Sequence, residues 1–193
     1  NDENGARYEK QLQKIDSYIE NVLYYARSEN SAKDYIIKPV MLGKVFRDTA
    51  VKNRNELQSM DVSISAEGLD KCVTSDEKWL EFILNQLLSN SMKYFSESRK
   101  PELRIYADET SDSVIFHFRD NGIGIPASDL PYIFDKSYTG ENGRTHSQST
   151  GMGLYIVKNL CSRLGHKISA ESVQGESTEI IITFGKNDHV KPI

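Results

Sequence analysis

The first thirty residues carry apolar side chains at steps of three and four positions, which is the spacing of one helical face. These side chains are Leu12, Ile15, Ile19, Val22 and Ala26. Their short heptad-like run suits pairing with another helix. Two interpretations stay open: the helix lies on its own domain, or it forms half of a dimerising helical hairpin.

The helical pattern breaks after Asn30, and Pro39 disfavours its return, so we expect a linker and then a short strand. Residues from Met41 to Ser59 predict a second helix with one apolar face. That face carries Leu42, Val45, Phe46 and Ala50. The alternating stretches DVSISAE and LDKCVTS predict a hairpin that turns at Gly68.

A long helix is predicted from Glu77 to about Tyr94, with Asp76 as its N-cap. ELRIYAD and SVIFHFRD alternate and predict a hairpin, whereas residues 127–150 are polar and rich in loop formers. GMGLYIVKNLCSRLG predicts a helix that ends at Gly165, and HKISAES with TEIIITF predicts a final strand pair. We therefore expect an α+β fold, a two-layer sandwich with helices on one face of a mixed, largely antiparallel sheet.

Composition excludes some function classes. The chain has 193 residues and a formal net charge of -4, so it has no basic surplus for binding nucleic acid. Cys72 and Cys161 match no metal or disulfide spacing and are expected to be reduced. The apolar runs are strand-sized rather than membrane-spanning. The polar start at Asn1 suggests a fragment of a longer protein.

Three stretches carry candidate chemistry. In NQLLSNSMKY, the side chains of Gln86, Asn90, Lys93 and Tyr94 share one helical face, which an ordinary surface helix would also allow. In DNGIGIP, Asp120 stands at the end of a predicted strand before two glycines, and a plain turn is the alternative.

The third stretch, STGMGLYIV, opens a predicted helix with Gly151 and Gly153. A helix N-terminus offers unpaired N–H groups and a positive dipole end, and glycines let phosphate oxygens approach them. A glycine-initiated helix without a ligand remains possible from this stretch alone. Neither a Walker P-loop nor a Rossmann fingerprint is present.

Taken in order, these stretches resemble the Bergerat-type ATP-binding fold shared by gyrase-like, chaperone and mismatch-repair ATPases and by histidine kinases. NQLLSNSMKY, DNGIGIP, IFDKSYTG and STGMGLYIVK are similar to the N, G1, F and G2 boxes of sensor histidine kinases, and GESTEIIITF to their last strand. The resemblance runs from about Ile36 to Phe184. FILNQLLSNSMKY with YTGENGR resembles the short-loop sensor kinases of Gram-positive bacteria that respond to cell-wall antibiotics with a partner ABC transporter.

The resemblance implies that the Asp120 carboxylate accepts a hydrogen bond from the adenine amine of ATP. Gly122 and Gly124 would let the backbone approach the nucleotide, and Thr178 would support Asp120. Asn90 would bind Mg²⁺. Many family members have Asn where this chain has Gln86, and the longer Gln side chain would reach the metal through a water. The other implied ATP contacts are Lys93, Tyr94, Lys136, Tyr138, Arg144, Thr150, Gly151, Met152, Gly153 and Leu154.

The F box departs from the family pattern, since Thr139 stands where a basic residue is common. The phosphate contact is then expected from Lys136 or from Arg144 in a lid of about residues 135–150. YYARSEN resembles the exit of the second dimerisation helix. We therefore assign residues 1–30 to the C-terminal part of the dimerisation and phosphotransfer helix, and residues 31–193 to the ATP-binding catalytic domain.

A histidine kinase also needs a phosphoacceptor histidine on its first dimerisation helix. The four histidines are His117, His146, His166 and His189, and none lies in the N-terminal helix or resembles that motif. His117 and His166 are expected to be structural, and His146 lies in the lid. The resemblance therefore implies a fragment that binds ATP without containing its own acceptor.

The implied function is that of the ATP-binding catalytic domain of a two-component sensor histidine kinase. The implied partners of the full protein are a second copy, through the N-terminal helix, a response regulator and a membrane ABC transporter. The implied location is the cytoplasmic side of the cell membrane. Two alternatives are a gyrase- or chaperone-like ATP-hydrolysing switch, which would need a basic carboxylate where Gln86 stands, and a degenerate module that only dimerises.

Overall fold

The computed structural model describes residues 35–140 and 151–186. The strands and helices follow in chain order: β1 (Lys38–Met41), α1 (Leu42–Lys52), α2 (Arg54–Ser59), β2 (Ser63–Glu67), β3 (Cys72–Ser75), α3 (Glu77–Tyr94), β4 (Glu102–Glu109), β5 (Ser113–Asp120), α4 (Gly153–Arg163), β6 (Lys167–Val173) and β7 (Ser177–Gly185). A short 3₁₀ helix, Leu130–Tyr132, lies between β5 and α4.

The main sheet has five strands in the order β2-β4-β5-β7-β6. Only β2 and β4 pair in parallel, and the other neighbours are antiparallel. Alternate residues of β4, β5 and β7 are buried, as expected for strands with one covered face. The largest fully buried side chains of these strands are Phe116, Phe118, Phe184, Leu103 and Ile105.

Helices α3 and α4 supply apolar surface to this core. In α3, a buried stripe runs from Trp79 to Ser91 and includes Leu80, Ile83, Leu84, Leu87 and Leu88. In α4, the buried side chains are Ile156, Val157, Leu160 and Cys161. The buried residues cover more than one side of α3, and its remaining polar face carries Gln86 and Asn90 beside the first residue of α4.

The α+β sandwich with a mixed, largely antiparallel sheet is confirmed. The predicted long helix has the bounds Glu77–Tyr94, and the Asp76 Oδ1 accepts the N–H of Trp79 at 3.1 Å, as expected of an N-cap. The hairpins β4–β5 and β6–β7 are also confirmed.

The predicted hairpin between DVSISAE and LDKCVTS is wrong. Strand β2 pairs in parallel with β4, and β3 pairs with β1 in a separate two-stranded sheet. The intervening segment satisfies the start of α1 instead, because Leu42 and Gly43 donate their N–H groups to the carbonyls of Lys71 and Leu69. All residues of β2 are exposed, so its alternation marked no buried face.

The helix predicted from Met41 to Ser59 is two helices, because it breaks at Asn53. The Asn53 Nδ2 donates to the Thr49 carbonyl at 2.9 Å and to the Asn85 Oδ1 at 2.8 Å. Such side-chain bonds compete with the helical ladder. On the apolar face, Thr49 is buried where Ala50 was expected, and its hydroxyl donates to the Val45 carbonyl.

Several sequence-based predictions lie outside the described residues. They are the N-terminal helix, the boundary at residues 30 and 31, and most of the lid, including Arg144, His146 and Thr150. His189, near the end of the chain, also lies outside the described residues. Within residues 35–140 and 151–186, every helix is too short or too polar to traverse a lipid bilayer.

Candidate functional site

Asp120 is a buried carboxylate at the end of the central strand β5. It stands opposite Thr178 of β7 and is 8% exposed. The Ser91 hydroxyl of α3 donates to Oδ2 at 2.6 Å, and the Gly122 N–H donates to Oδ1 at 2.9 Å. The Thr178 backbone N–H also donates to this carboxylate. A carboxylate has about four acceptor positions, so one position remains for a further donor.

The environment of Asp120 pulls its pKa in two directions. Burial raises the pKa above its ordinary value, since desolvation disfavours the charged form. The three hydrogen-bond donors and the positive charge of Arg99 oppose that rise. The molecule therefore surrounds a buried acid with groups that stabilise its charge, as expected for a site that binds a donor ligand.

The glycine loop, residues 120–126, lies against neighbouring backbone at both of its central glycines. A Cβ at Gly122 would come 2.5 Å from the Tyr94 carbonyl oxygen and 2.8 Å from the Asp120 Oδ1. At Gly124, the φ of +66° and a distance of 2.2 Å to the Val173 oxygen exclude a side chain. The glycines that we expected to face a ligand thus also shape the loop around the protein itself.

The amide face of α3 meets the first residue of α4. A Cβ at Gly153 would lie 3.1 Å from the Gln86 Oε1 and 3.9 Å from both terminal atoms of the Asn90 amide. Met152, which precedes α4, supplies no side-chain cap. The positive end of an eleven-residue helix therefore faces two amide groups, which is a suitable arrangement for an anion with a bound cation.

Lys93 and Tyr94 continue this face at the end of α3. The Lys93 Nζ lies 5.4 Å from the centroid of the Tyr94 ring, and both side chains are half-buried. The Tyr94 carbonyl accepts the N–H of Ile123 at 3.0 Å. The end of α3 is therefore joined to the glycine loop through its backbone, while its two side chains stay near the polar face.

The start of the predicted lid is fixed by Asp129, a residue that sequence reasoning missed. The Tyr138 hydroxyl donates to the Asp129 Oδ1 at 2.8 Å, and Asp129 is 8% exposed. Gly151 packs on the same segment, since a Cβ there would come 2.4 Å from the Ser137 carbonyl carbon. Lys136 is exposed on this segment. Gly151, which follows the predicted lid, therefore packs against the first residues of the lid.

The structure brings Gln86 and Asn90 to Gly153, and Asp120 to Gly122 and Thr178. Ser91 was also missed, although it follows Leu87 and Leu88 at the spacing of the inward face of α3. A buried serine needs a partner, so that spacing was a usable signal. The Ser172 hydroxyl donates to the Ser177 carbonyl and lies 3.2 Å from the Thr178 Oγ1, which joins the β6–β7 hairpin to the site.

The two described histidines have partners far along the chain. The His117 Nδ1 lies 2.7 Å from the Glu179 Oε1, and its ring stacks on Tyr106. The His166 Nε2 lies 2.8 Å from the Ser75 Oγ, and burial lowers the pKa of His166 to about 4. Both placements agree with structural roles.

Within the described ranges, no three His, Cys, Asp or Glu side chains are grouped so that they could hold a metal ion. The oxygens near the start of α4 that a metal could contact include those of the Gln86 and Asn90 amides. Mg²⁺ accepts such an arrangement, because it prefers oxygen ligands and keeps several waters. The amides of Asn90 and Gln86 fit that chemistry.

Comparison with known proteins identifies the family to which the chain is similar. Residues 75–188 match the family described as histidine kinase-, DNA gyrase B-, and HSP90-like ATPase. The sensor histidine kinase YxdK of Bacillus subtilis (strain 168) is 32% identical over 177 residues, which are 91% of this chain and 54% of YxdK. The sensor histidine kinase GraS of Staphylococcus haemolyticus is 29% identical over 180 residues, covering 92% of this chain and 51% of GraS.

A solved structure, the catalytic domain of histidine kinase ThkA, superposes with a TM-score of 0.67 at 21% identity. The superposition covers 78% of this chain and 96% of the ThkA domain, and it supports the assignment of the fold. The chain spans about half the length of each of these two curated relatives.

Proposed function

We propose that this chain binds adenine at Asp120 and triphosphate at the start of α4. The chain belongs to the histidine kinase-, DNA gyrase B-, and HSP90-like ATPase family. It forms the ATP-binding catalytic domain of a sensor histidine kinase. The observation that carries the proposal is the meeting of Gln86 and Asn90 with Gly153. It joins an amide face, which suits a cation, to a helix N-terminus, which suits phosphate.

At the adenine end, the remaining acceptor position of Asp120 receives the exocyclic amine of the base. The carboxylate selects adenine, because guanine carries a carbonyl at that position. Ser91, Gly122 and Thr178 hold the carboxylate in place from three sides. The close packing of Gly122 against Tyr94 and of Gly124 against Val173 supports the loop in this shape, and we propose that its backbone lies close to the base.

At the phosphate end, the first N–H groups of α4 donate hydrogen bonds to phosphate oxygens. Lys93 contributes a positive charge, and Tyr94 packs beside the nucleotide. Magnesium bound by Asn90, and by Gln86 through a water, would neutralise phosphate charge. The remaining proposed contacts are Lys136, Tyr138, Arg144, Thr150, Gly151, Met152, Gly153 and Leu154.

In the full protein, we propose transfer of the γ-phosphoryl group to a histidine outside this sequence and then to an aspartate of a response regulator. This domain would contribute positioning and charge neutralisation rather than covalent chemistry. Incubation with Mg-ATP should therefore leave no phosphohistidine at His117, His146, His166 or His189 by mass spectrometry of the intact chain.

We propose a homodimer formed through the N-terminal helix, a membrane-anchored protein whose catalytic domain is cytoplasmic, and the antibiotic-responsive subfamily with an ABC-transporter partner. The support for the subfamily is the likeness of FILNQLLSNSMKY and YTGENGR to its members.

Calorimetric titration of the 193-residue chain with ATP, with and without Mg²⁺, tests the site. We expect Asn90→Ala to remove the magnesium-dependent part of the affinity. Asn85→Ala is the matched control, because its amide lies on the same helix but bonds to Asn53. Equal magnesium dependence in both variants would contradict the proposed role of Asn90.

A further inference from the structure

The glycine loop is held between two other segments of the chain. On one side, the Ile123 N–H donates to the Tyr94 carbonyl at the end of α3. On the other side, the Ile123 carbonyl accepts the N–H of Gly175 at 2.8 Å, in the turn between β6 and β7. The Ile125 N–H also donates to the Ser172 Oγ at 2.8 Å. The shape of the loop therefore depends on that turn.

Arg99 connects these same segments from a third place, the connection between α3 and β4. Its Nη2 donates to the Gly122 carbonyl at 2.7 Å and to the Gly175 carbonyl at 2.6 Å. One guanidinium nitrogen thus bridges the loop and the turn. Among the described residues, the buried Nε of Arg99 has no hydrogen-bond partner, so the side chain is placed by its terminal contacts.

This bridge has a conformational consequence. A stretch with two glycines loses much chain entropy when it is ordered. A protein whose binding-competent loop is only partly populated binds its ligand more weakly by that fraction. A cation that fixes two backbone carbonyls therefore raises affinity without touching the ligand. The charge of Arg99 also favours the ionised form of Asp120.

We propose that Arg99 is a positioning residue of the nucleotide site, which holds the glycine loop in the shape that receives the purine. This inference rests on the proposed function of the site. Arginine suits the task because its planar group presents donors in a fixed geometry. Lysine keeps the charge but presents it as a point, so Arg99→Lys should keep only part of the effect.

The test compares ATP and ADP affinities of the 193-residue chain by calorimetry. We expect Arg99→Ala to weaken both nucleotides by the same factor, about tenfold, because the loop receives the base that they share. Arg99→Lys should fall between that variant and the unmodified chain. Arg104→Ala is the matched control, since Arg104 is an exposed arginine on β4 whose guanidinium lies over the Tyr106 ring.

Hydrogen exchange separates positioning from general stability. In Arg99→Ala, the amides of Ile123 and Gly175 should exchange faster, while those of Ile105 and Phe116 in the core stay protected. Saturating ATP should restore the protection of the loop. An Arg99→Ala chain that binds ATP as tightly as the unmodified chain would overturn the inference.

The inference would also be overturned if Arg99→Ala fails to fold, or if its core amides lose protection together with the loop. Either result would mark Arg99 as a residue of general stability. Failure of the proposed function looks different, because neither the unmodified chain nor Arg104→Ala would then bind ATP.

Discussion

Asp120 and His166 are both buried ionisable side chains, and burial shifts the pKa of each in the direction that disfavours charge. The pKa of Asp120 rises and that of His166 falls to about 4. Their surroundings differ. Four groups oppose the shift of Asp120, whereas desolvation alone accounts for the shift of His166.

We interpret the difference as that between the proposed adenine site and a packing contact. His166 lies beside Phe184 and within hydrogen-bond distance of Ser75, and its neutral form suits that position. Asp120 is held by donors from α3, from the glycine loop and from β7, which keep a charge available in a desolvated place. Such support for a charge has a use when a ligand brings a donor to it.

The largest expected effect is the loss of ATP binding in Asp120→Asn. The amide can orient its oxygen to the Gly122 N–H, but the adenine amine then meets an uncharged group or another donor. A hydrogen bond to a charged group contributes ~1.5–3 kcal/mol, so affinity should fall at least about tenfold. Calorimetry measures the loss, with Asp112→Asn in the exposed β4–β5 turn as the control.

The free Asp120→Asn chain should be at least as stable as the unmodified chain. The raised pKa means that the folded state binds its proton more tightly, so the ionised carboxylate lowers stability at neutral pH. Thermal unfolding without nucleotide should give an equal or higher Tm. Affinity retained within about twofold would contradict the role of Asp120 in binding adenine.

The second prediction concerns acid and His166. Its folded pKa, about 4, lies below its ordinary value of 6.5, so the unfolded state binds more protons between these values. The contribution of neutral His166 to the free energy of unfolding is present in full above pH 6.5, and it falls as the pH is lowered toward 4. Near pH 5 this group should lower the free energy of unfolding by about 2 kcal/mol relative to neutral pH.

Denaturant unfolding of the unmodified chain and of His166→Gln at several pH values measures this contribution. Glutamine can still pair with Ser75 but does not titrate. The loss on acidification should therefore be smaller in His166→Gln. Parallel pH profiles for the two chains would show that His166 does not contribute.

The sequence predicted the main elements, because their periodicity and caps are local signals. Asp76 marked the start of α3, and alternating runs marked β4, β5 and β7. The partner of β2 was missed, because β2 pairs in parallel with the distant strand β4, while the carbonyls of Leu69 and Lys71 in the expected hairpin partner accept N–H groups of α1. Pairing between distant segments leaves no local pattern when a strand is exposed on both faces.

The candidate site divides in the same way. Asn90, Asp120 and Gly153 belong to motifs that can be read along the chain. Ser91, Arg99 and Asp129 act on residues 29, 23 and 9 positions away. Their roles come from packing and from the backbone path, so serine, arginine and aspartate gave no distinctive signal by themselves.

The third prediction removes one donor from Asp120. In Ser91→Ala, the carboxylate loses the hydroxyl 2.6 Å from its Oδ2, and burial then disfavours its charge more strongly. We expect the ATP affinity to fall by about 1 kcal/mol, or roughly fivefold. Ser89→Ala is the matched control on α3, because Ser89 is exposed. An equal effect in both variants would assign the loss to the helix rather than to Asp120.

The smallest expected effect concerns Gln86, which tests whether a carboxylate at this position of α3 acts as a base toward water. Water attack on ATP needs a base within about 2.6–3.2 Å of the water or one water further away. The Gln86 side chain faces Gly153 at the start of α4 but has no basicity, so we expect negligible ATP turnover by the unmodified chain. Gln86→Glu should add at most weak hydrolysis, because a second negative charge near the triphosphate repels it as well as activating water.

A phosphate-release assay on both chains, with Asn90→Ala as the blank, measures the rate of ATP turnover. Robust turnover by the unmodified chain that disappears in Asn90→Ala would assign the chain to the hydrolysing switches of the family.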